Sequence, residues 1–168
     1  MKKKKFILIL LIFINFFSNS YAQNLAYIDL DTVLERSKLG IKIYEKLRID
    51  REIKLNEIKL KENKLKEIEK NIDQKKNILS KQEFENELSK LQTEFKNLNI
   101  LKGQLKQEFD NNKNREIMEF FNKINPYIQK YLSDNSIDIL FNDKNVVIGK
   151  DNLDITSNII TIIDNEIN

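Results

Sequence analysis

The chain has 168 residues, 33% of them charged and 40% hydrophobic, with no Cys and no His. Without Cys there are no disulfides, no thiol chemistry and no cysteine metal sites; without His the usual general base, the commonest zinc ligand and every His-containing triad are gone. The formal charge of +3 includes Lys2 to Lys5, and removing those four from the 29 basic residues leaves 25 against 26 acidic ones, −1, so basicity gives no case for nucleic acid.

Those lysines open a segment to be set aside. After them comes an apolar run from Phe6 to Phe17, broken only by Asn15, and then Ser20-Tyr21-Ala22, a small-x-small site before Gln23. This is the pattern of a secretory signal peptide, expected to be cleaved after Ala22. Its apolar core is shorter than the roughly 20 residues a bilayer-spanning helix needs. No Cys follows, which excludes a lipoprotein anchor.

Leu25 to Asp29 reads as a short strand. Asp31 is expected to cap a brief helix through Val33, Leu34 and Arg36, and Ser37 and Gly40 then allow a change of direction. From Ile41 to about Tyr131 the sequence predicts two long helices folded back on each other. Tyr44, Leu47, Ile58, Leu65, Ile68 and Ile72 fall on one ladder of three- and four-residue steps; Phe84, Leu88, Leu91, Phe95, Leu98, Leu105 and Phe109 fall on another. Pairing Ile72 with Phe84, Ile68 with Leu88, Leu65 with Leu91, Ile58 with Leu98 and Leu47 with Phe109 is symmetric about Ile78, so one turn there closes them all. Ser80-Lys-Gln-Glu83 has capping-box spacing and marks the start of the second arm. At about 1.5 Å per residue, an arm of about fifty residues reaches about 75 Å. Such an arm must project.

Arg51, Lys54, Lys61 and Lys102 interrupt the ladders, with Lys54 expected opposite Lys102. Long stems can cover a seam while their charges reach water, but such a seam is flexible by coiled-coil standards. Gly103 reads as a residue on an exposed face or, alternatively, as a soft point that lets the arm bend. Past Phe109 the stripe widens to Ile117, Phe120, Ile124, Ile128 and Tyr131, where the helix enters the body; Pro126 is expected to kink it or start a new turn. Ile137 to Phe141 and Asn145 to Ile148 are expected to be strands around an Asn142-Asp143-Lys144 hairpin turn. Asp154-Ile-Thr156 begins a last helix with Ile159, Ile160, Ile162 and Ile163 inside.

The expected fold class is α+β: a small β-containing oligomerisation body, 23–40 and 112–168, bearing a protruding antiparallel coiled-coil hairpin, 41–111, with its tip near 78. The arms leave roughly fifty residues for the compact part, near the limit for an independent core, so oligomerisation is the expected remedy. The assembly residues are Leu25, Tyr27, Ile28, Ile137, Ile139, Phe141, Val146 and Ile148. Gly40, Gly103 and Gly149 are isolated, so no phosphate-cradling loop exists. Asp151 and Asp154 read as a loop and a helix cap. No catalytic residue, metal or cofactor is expected, and an enzyme is not.

Function must then come from surfaces. Apolar residues off the seam serve a partner arm or meet a client. These are Leu55, Leu60, Ile78, Leu79, Ile100 and Leu101, with Ile49 and Ile53 beside them; Lys70, Lys75, Lys76 and Lys81 form a basic patch near the tip. Eight lysines face four acids from Lys59 to Lys81, and seven acids face two lysines from Asp134 onward.

Leu25-Ala-Tyr-Ile-Asp29, Val33-Leu34-Glu-Arg-Ser37 and Gly40, the Leu79-Ser80 tip, Ile137-Asp-Ile-Leu-Phe141, Val146-Val-Ile148 and Asp154-Ile-Thr156 occur in this order around a long hairpin behind a signal peptide. In this the chain resembles the Skp/OmpH family of periplasmic chaperones. The resemblance implies a homotrimer whose strands form a small shared barrel, with three hairpins around a cavity that holds unfolded outer-membrane proteins without ATP. Two departures stand out. Asn135-Ser136 occupies a place where a Gly is common, and the near-neutral charge leaves only the positive outer half of the arms to attract clients, membrane or lipopolysaccharide. The alternative is a structural coiled-coil protein of the envelope without chaperone activity.

Overall fold

A computed structural model describes residues 23–167; the leader expected over Met1–Ala22 lies outside them. Strand β1, Leu25–Ile28, is followed by helix α1, Leu30–Arg36. Helix α2, Lys38–Lys75, and helix α3, Lys81–Asp134, are the two arms. Strand β2, Ile139–Asn142, then leads through two single 3₁₀ turns, Asp143–Asn145 and Asp151–Leu153, into helix α4, Thr156–Glu166. Among the described residues no helix is long and apolar enough to cross a membrane.

The α+β class and the helical hairpin are as expected. Leu65, Ile72, Leu91 and Leu98 are buried together in the outer half of the arms, with Ile68, Phe84 and Leu88 packed on them. Tyr44 and Phe95, on the ladders, remain exposed because a two-helix seam is too narrow to cover every rung. Lys54 and Lys102 line the same groove, but each finds an acid. Lys54 Nζ lies 3.0 Å from Asp50 and 3.9 Å from Glu108, and Lys102 lies 2.7 Å from Glu62. Both halves of the Ser80 capping box form: its hydroxyl accepts from the Glu83 N–H at 3.3 Å and Glu83 accepts from the Ser80 N–H at 3.0 Å.

Behind the arms lies a second core. Ala26 and Ile28 from β1, Val33 and Leu34 from α1, Phe120, Ile124 and Ile128 from α3, and Ile155, Ile159, Ile163 and Ile167 around α4 are buried against one another. α4 also holds the root of the first arm, since Asp164 Oδ1 accepts from the Lys38 N–H at 2.7 Å, a free donor of α2's first turn.

The structure corrects or narrows four local expectations. The cap of α1 is Asp29, two residues earlier than expected: its carboxylate accepts the Thr32 N–H at 2.9 Å, while Asp31 pairs with Lys144. The turn into the first arm is made by Ser37, which closes α1 and caps α2 by accepting the Gly40 N–H at 3.1 Å. Of the two outcomes expected at Pro126, the new start does not occur, since α3 runs through it. Pro126 and Asn122 are both exposed, so the carbonyl left without its helical donor can meet water, while buried Ile124 and Ile128 fix the helix on either side. The Asn145–Ile148 strand and its hairpin are absent. β2 instead pairs in parallel with β1, Leu25 opposite Ile139 through Ile28 opposite Asn142. Asn142 and Asp143 fold the chain into a 3₁₀ turn by accepting the Lys144 and Val146 N–H groups, which carries residues 146–148 off the sheet. The left-handed backbone before β2 belongs to Ser136, at φ 52°.

Two predictions arise here. A Cβ at Gly103 would touch nothing within 4 Å, so Gly103→Ala should raise helix stability by about 1 kcal/mol, read as a higher Tm. Hydrogen bonds from Thr32 hold the Asp29 carboxyl below its usual range. A depressed carboxylate adds stability above its unfolded pKa and loses it as pH falls through the folded value. Asp29→Ala should therefore cost about 1 kcal/mol at neutral pH and nearly nothing at pH below that range, which acid titration of both proteins would show.

Candidate functional site

The described residues contain no cluster of acidic side chains able to hold a metal ion. The fully enclosed apolar side chains, such as Phe120, Ile159 and Ile163, belong to the core of the body.

The arm candidates divide by exposure. Ile78, at the turn between the arms, is 81% exposed; Ile49, Ile53, Leu55, Leu60 and Ile100 are also exposed. Leu79 is half-buried, folded in beside the turn, and half-buried Leu101 lines a groove of about 530 Å³ between the arms with Leu65, Ile68, Leu91 and Leu98 at its floor. Lys61, Lys64, Lys90, Glu87 and Glu94 rim that groove. On α2, Ile49, Ile53 and Leu60 follow steps of four and seven, which put them on one stripe opposite the seam formed by Leu47, Ile58 and Leu65. The candidates are thus strung along the arms and do not converge on one pocket. Lys70, Lys75 and Lys76 are exposed and make no ion pair among the described residues, while Lys81 approaches Glu85 at 4.0 Å.

At the other end, the small sheet is an unfinished surface. Leu25, Ile139 and Phe141 are each about two-fifths exposed, and Val147 and Ile148 are 99% and 92% exposed. Leu25, Tyr27, Phe141, Val146, Val147 and Ile148 surround an open groove of about 460 Å³. Gly149 lets this loop lie against the Tyr27 ring, since a Cβ there would sit 2.7 Å from a ring carbon. The Tyr27 hydroxyl is held above its usual pKa by burial and by the carboxylates of Asp154 and Asp151. Two of the expected assembly residues lie elsewhere. Ile28 is inside the chain's own core and Ile137 packs against it, so neither is presented outward as Ile148 is. Val147, the most exposed large apolar side chain among the described residues, was not among the expected assembly residues. The run Val146-Val147-Ile148 carried the signal.

A model of the OmpH-like outer membrane protein family matches residues 24–163, nearly all of the described chain. The chain belongs to the OmpH-like family. The fold agrees: a solved structure from Caulobacter crescentus CB15, assigned as an outer membrane chaperone (OmpH-like), superposes with a TM-score of 0.80 over 89% of this chain and 88% of that one, at 18% identity. No curated protein matches the sequence. Within the OmpH-like fold, the two surfaces described above are the paired arms and the sheet end of the body.

Proposed function

We propose that this protein is an ATP-independent holdase of the periplasm, which binds unfolded outer-membrane proteins and prevents their aggregation. The leader over Met1–Ala22 would direct export and be removed after Ala22. One observation carries the reading: the hairpin bears two apolar sets, a buried one that joins the helices and an exposed one, four residues of it on α2, Ile78 at the turn and Ile100 on α3. Ile49, Ile53, Leu55, Leu60, Ile78 and Ile100 are exposed although the hairpin has no use for them.

Fully burying one aliphatic side chain is worth about 1.5–3 kcal/mol. Six such residues spread along two arms give a client many weak contacts and no single deep site, so it can be held without being folded. The lysines between them add attraction that salt screens. Self-association through the sheet end, as a homotrimer, would hold several hairpins around one client. It would also cover Val147 and Ile148, whose exposure a lone body leaves uncompensated.

The test is dilution of a urea-unfolded outer-membrane β-barrel protein into the leaderless protein, followed by light scattering and gel filtration. The expected result is a discrete soluble complex and suppressed aggregation at equimolar trimer. The triple variant Ile53→Asn, Leu60→Asn, Ile100→Asn should weaken client binding at least tenfold, about 1.4 kcal/mol, with helix content unchanged. A parent protein that ignores the client would sink the proposal and favour a structural spacer.

A further inference from the structure

We propose that the exported protein carries a pyroglutamyl amino terminus, formed from Gln23. This rests on leader removal after Ala22. The folded body is anchored from the very next residue. The Asn24 N–H donates to Asp138 Oδ2 at 2.9 Å, its side-chain amide donates to the Ser136 carbonyl at 3.0 Å, and its carbonyl accepts the Asp138 N–H at 2.9 Å. β1 starts at Leu25, and the family match starts at residue 24. Gln23 therefore precedes the first anchored residue; it is exposed at the rim of an open groove that Tyr131, Asn135, Asn152 and Leu153 also line. Its side chain makes no hydrogen bond among the described residues. Cleavage before it leaves a free α-amine and a γ-carboxamide in one residue, with neither group hydrogen-bonded to the body among the described residues.

The chemistry needs no partner. The neutral α-amine attacks its own side-chain carbonyl carbon, Cδ. A bond forms between the backbone nitrogen and Cδ, the Cδ–Nε2 bond breaks, and ammonia leaves with the proton the amine gives up. The five-membered lactam that results does not involve the Asn24 N–H, so its bond to Asp138 survives the reaction. The product has lost the terminal positive charge at the edge of a body whose last stretch is acidic, and has no α-amine for an aminopeptidase to grip. Asp138, reached by the next amide, sets the rate in the opposing direction: a nearby carboxylate favours the protonated amine, which is not nucleophilic.

The experiment is export of the full precursor in a Gram-negative host, then intact mass and amino-terminal sequencing of the purified protein during incubation at neutral pH. The expected product is Gln23–Asn168 lighter by one ammonia and closed to sequencing, formed faster in Asp138→Asn and absent in Gln23→Ala, which keeps a free amine and the same circular dichroism. A chain that begins at Gln23 and keeps its full mass and free amine throughout overturns the proposal but leaves the cleavage reading standing. A chain that begins elsewhere overturns both.

Discussion

Changing Val147 and Ile148 together to aspartate is expected to dissociate the proposed assembly into monomers with intact arms. Both side chains are almost fully exposed in the single chain, and neither belongs to either of its cores. Their loss should cost the isolated fold nothing. In an assembly that covers them, each would lose about 1.5–3 kcal/mol of burial and place a charge in an apolar contact, which together raise the dissociation constant by at least on the order of a thousandfold. Mass by light scattering at micromolar concentration reads the effect directly, with circular dichroism as the control for folding. An assembly that survives the double change would show that the sheet end is not where copies meet. Client binding should fall too, since one hairpin offers only a fraction of the contacts that several do.

The parts that were legible in the sequence are those whose partners lie close along the chain or repeat with a period. The seam could be read because three- and four-residue steps leave side chains on one stripe, and because both ladders are symmetric about a single turn. The start of the second arm could be read because Ser80 and Glu83 make a local, reciprocal contact. Both strands of the small sheet could be read, but their pairing could not, since β2 bonds to a strand more than a hundred residues earlier, and nothing near Asn142 records that partner. Asn142-Asp143-Lys144 does turn the chain, as its residue types demand, but into a 3₁₀ turn beside a parallel pair where a hairpin was expected. Asp29 and Asp31 offer the same capping chemistry two residues apart. The choice between them is made by the fold: the Asp29 N–H donates to Thr156 Oγ1 at 2.9 Å and Asp31 is drawn to Lys144. On the arms, an off-ladder position identified Ile53, Leu60 and Ile78 as exposed, but it placed Leu79 and Leu101 with them because periodicity gives a direction on the helix and not the depth of the groove beside it.

Gly40→Ala is expected to be the most damaging single methyl added to this chain. The sequence suggests a glycine that frees the backbone to turn; in the structure Gly40 lies inside α2, and the turn is made by Ser37. What Gly40 supplies is room. A Cβ there would stand 1.7 Å from the Leu34 carbonyl oxygen and 2.7 Å from its carbon. Backbone cannot rotate out of the way as a flexible side chain can, so α1 and α2 must part. Leu34 would then leave the body's core and Ser37, fully buried, would lose the short reach to the Gly40 N–H. Alanine's better helix propensity returns only about 1 kcal/mol. The net loss should reach the top of the roughly 1–3 kcal/mol that overpacking costs, or exceed it. Because the body is small, that is a large share of its stability. Thermal unfolding followed by near-ultraviolet circular dichroism at the core tyrosines and phenylalanines would show it, while Gly103→Ala in the same helix pair, with open space around it, should move the other way. If both substitutions stabilise the protein, the close crossing of α1 over α2 is not present in solution.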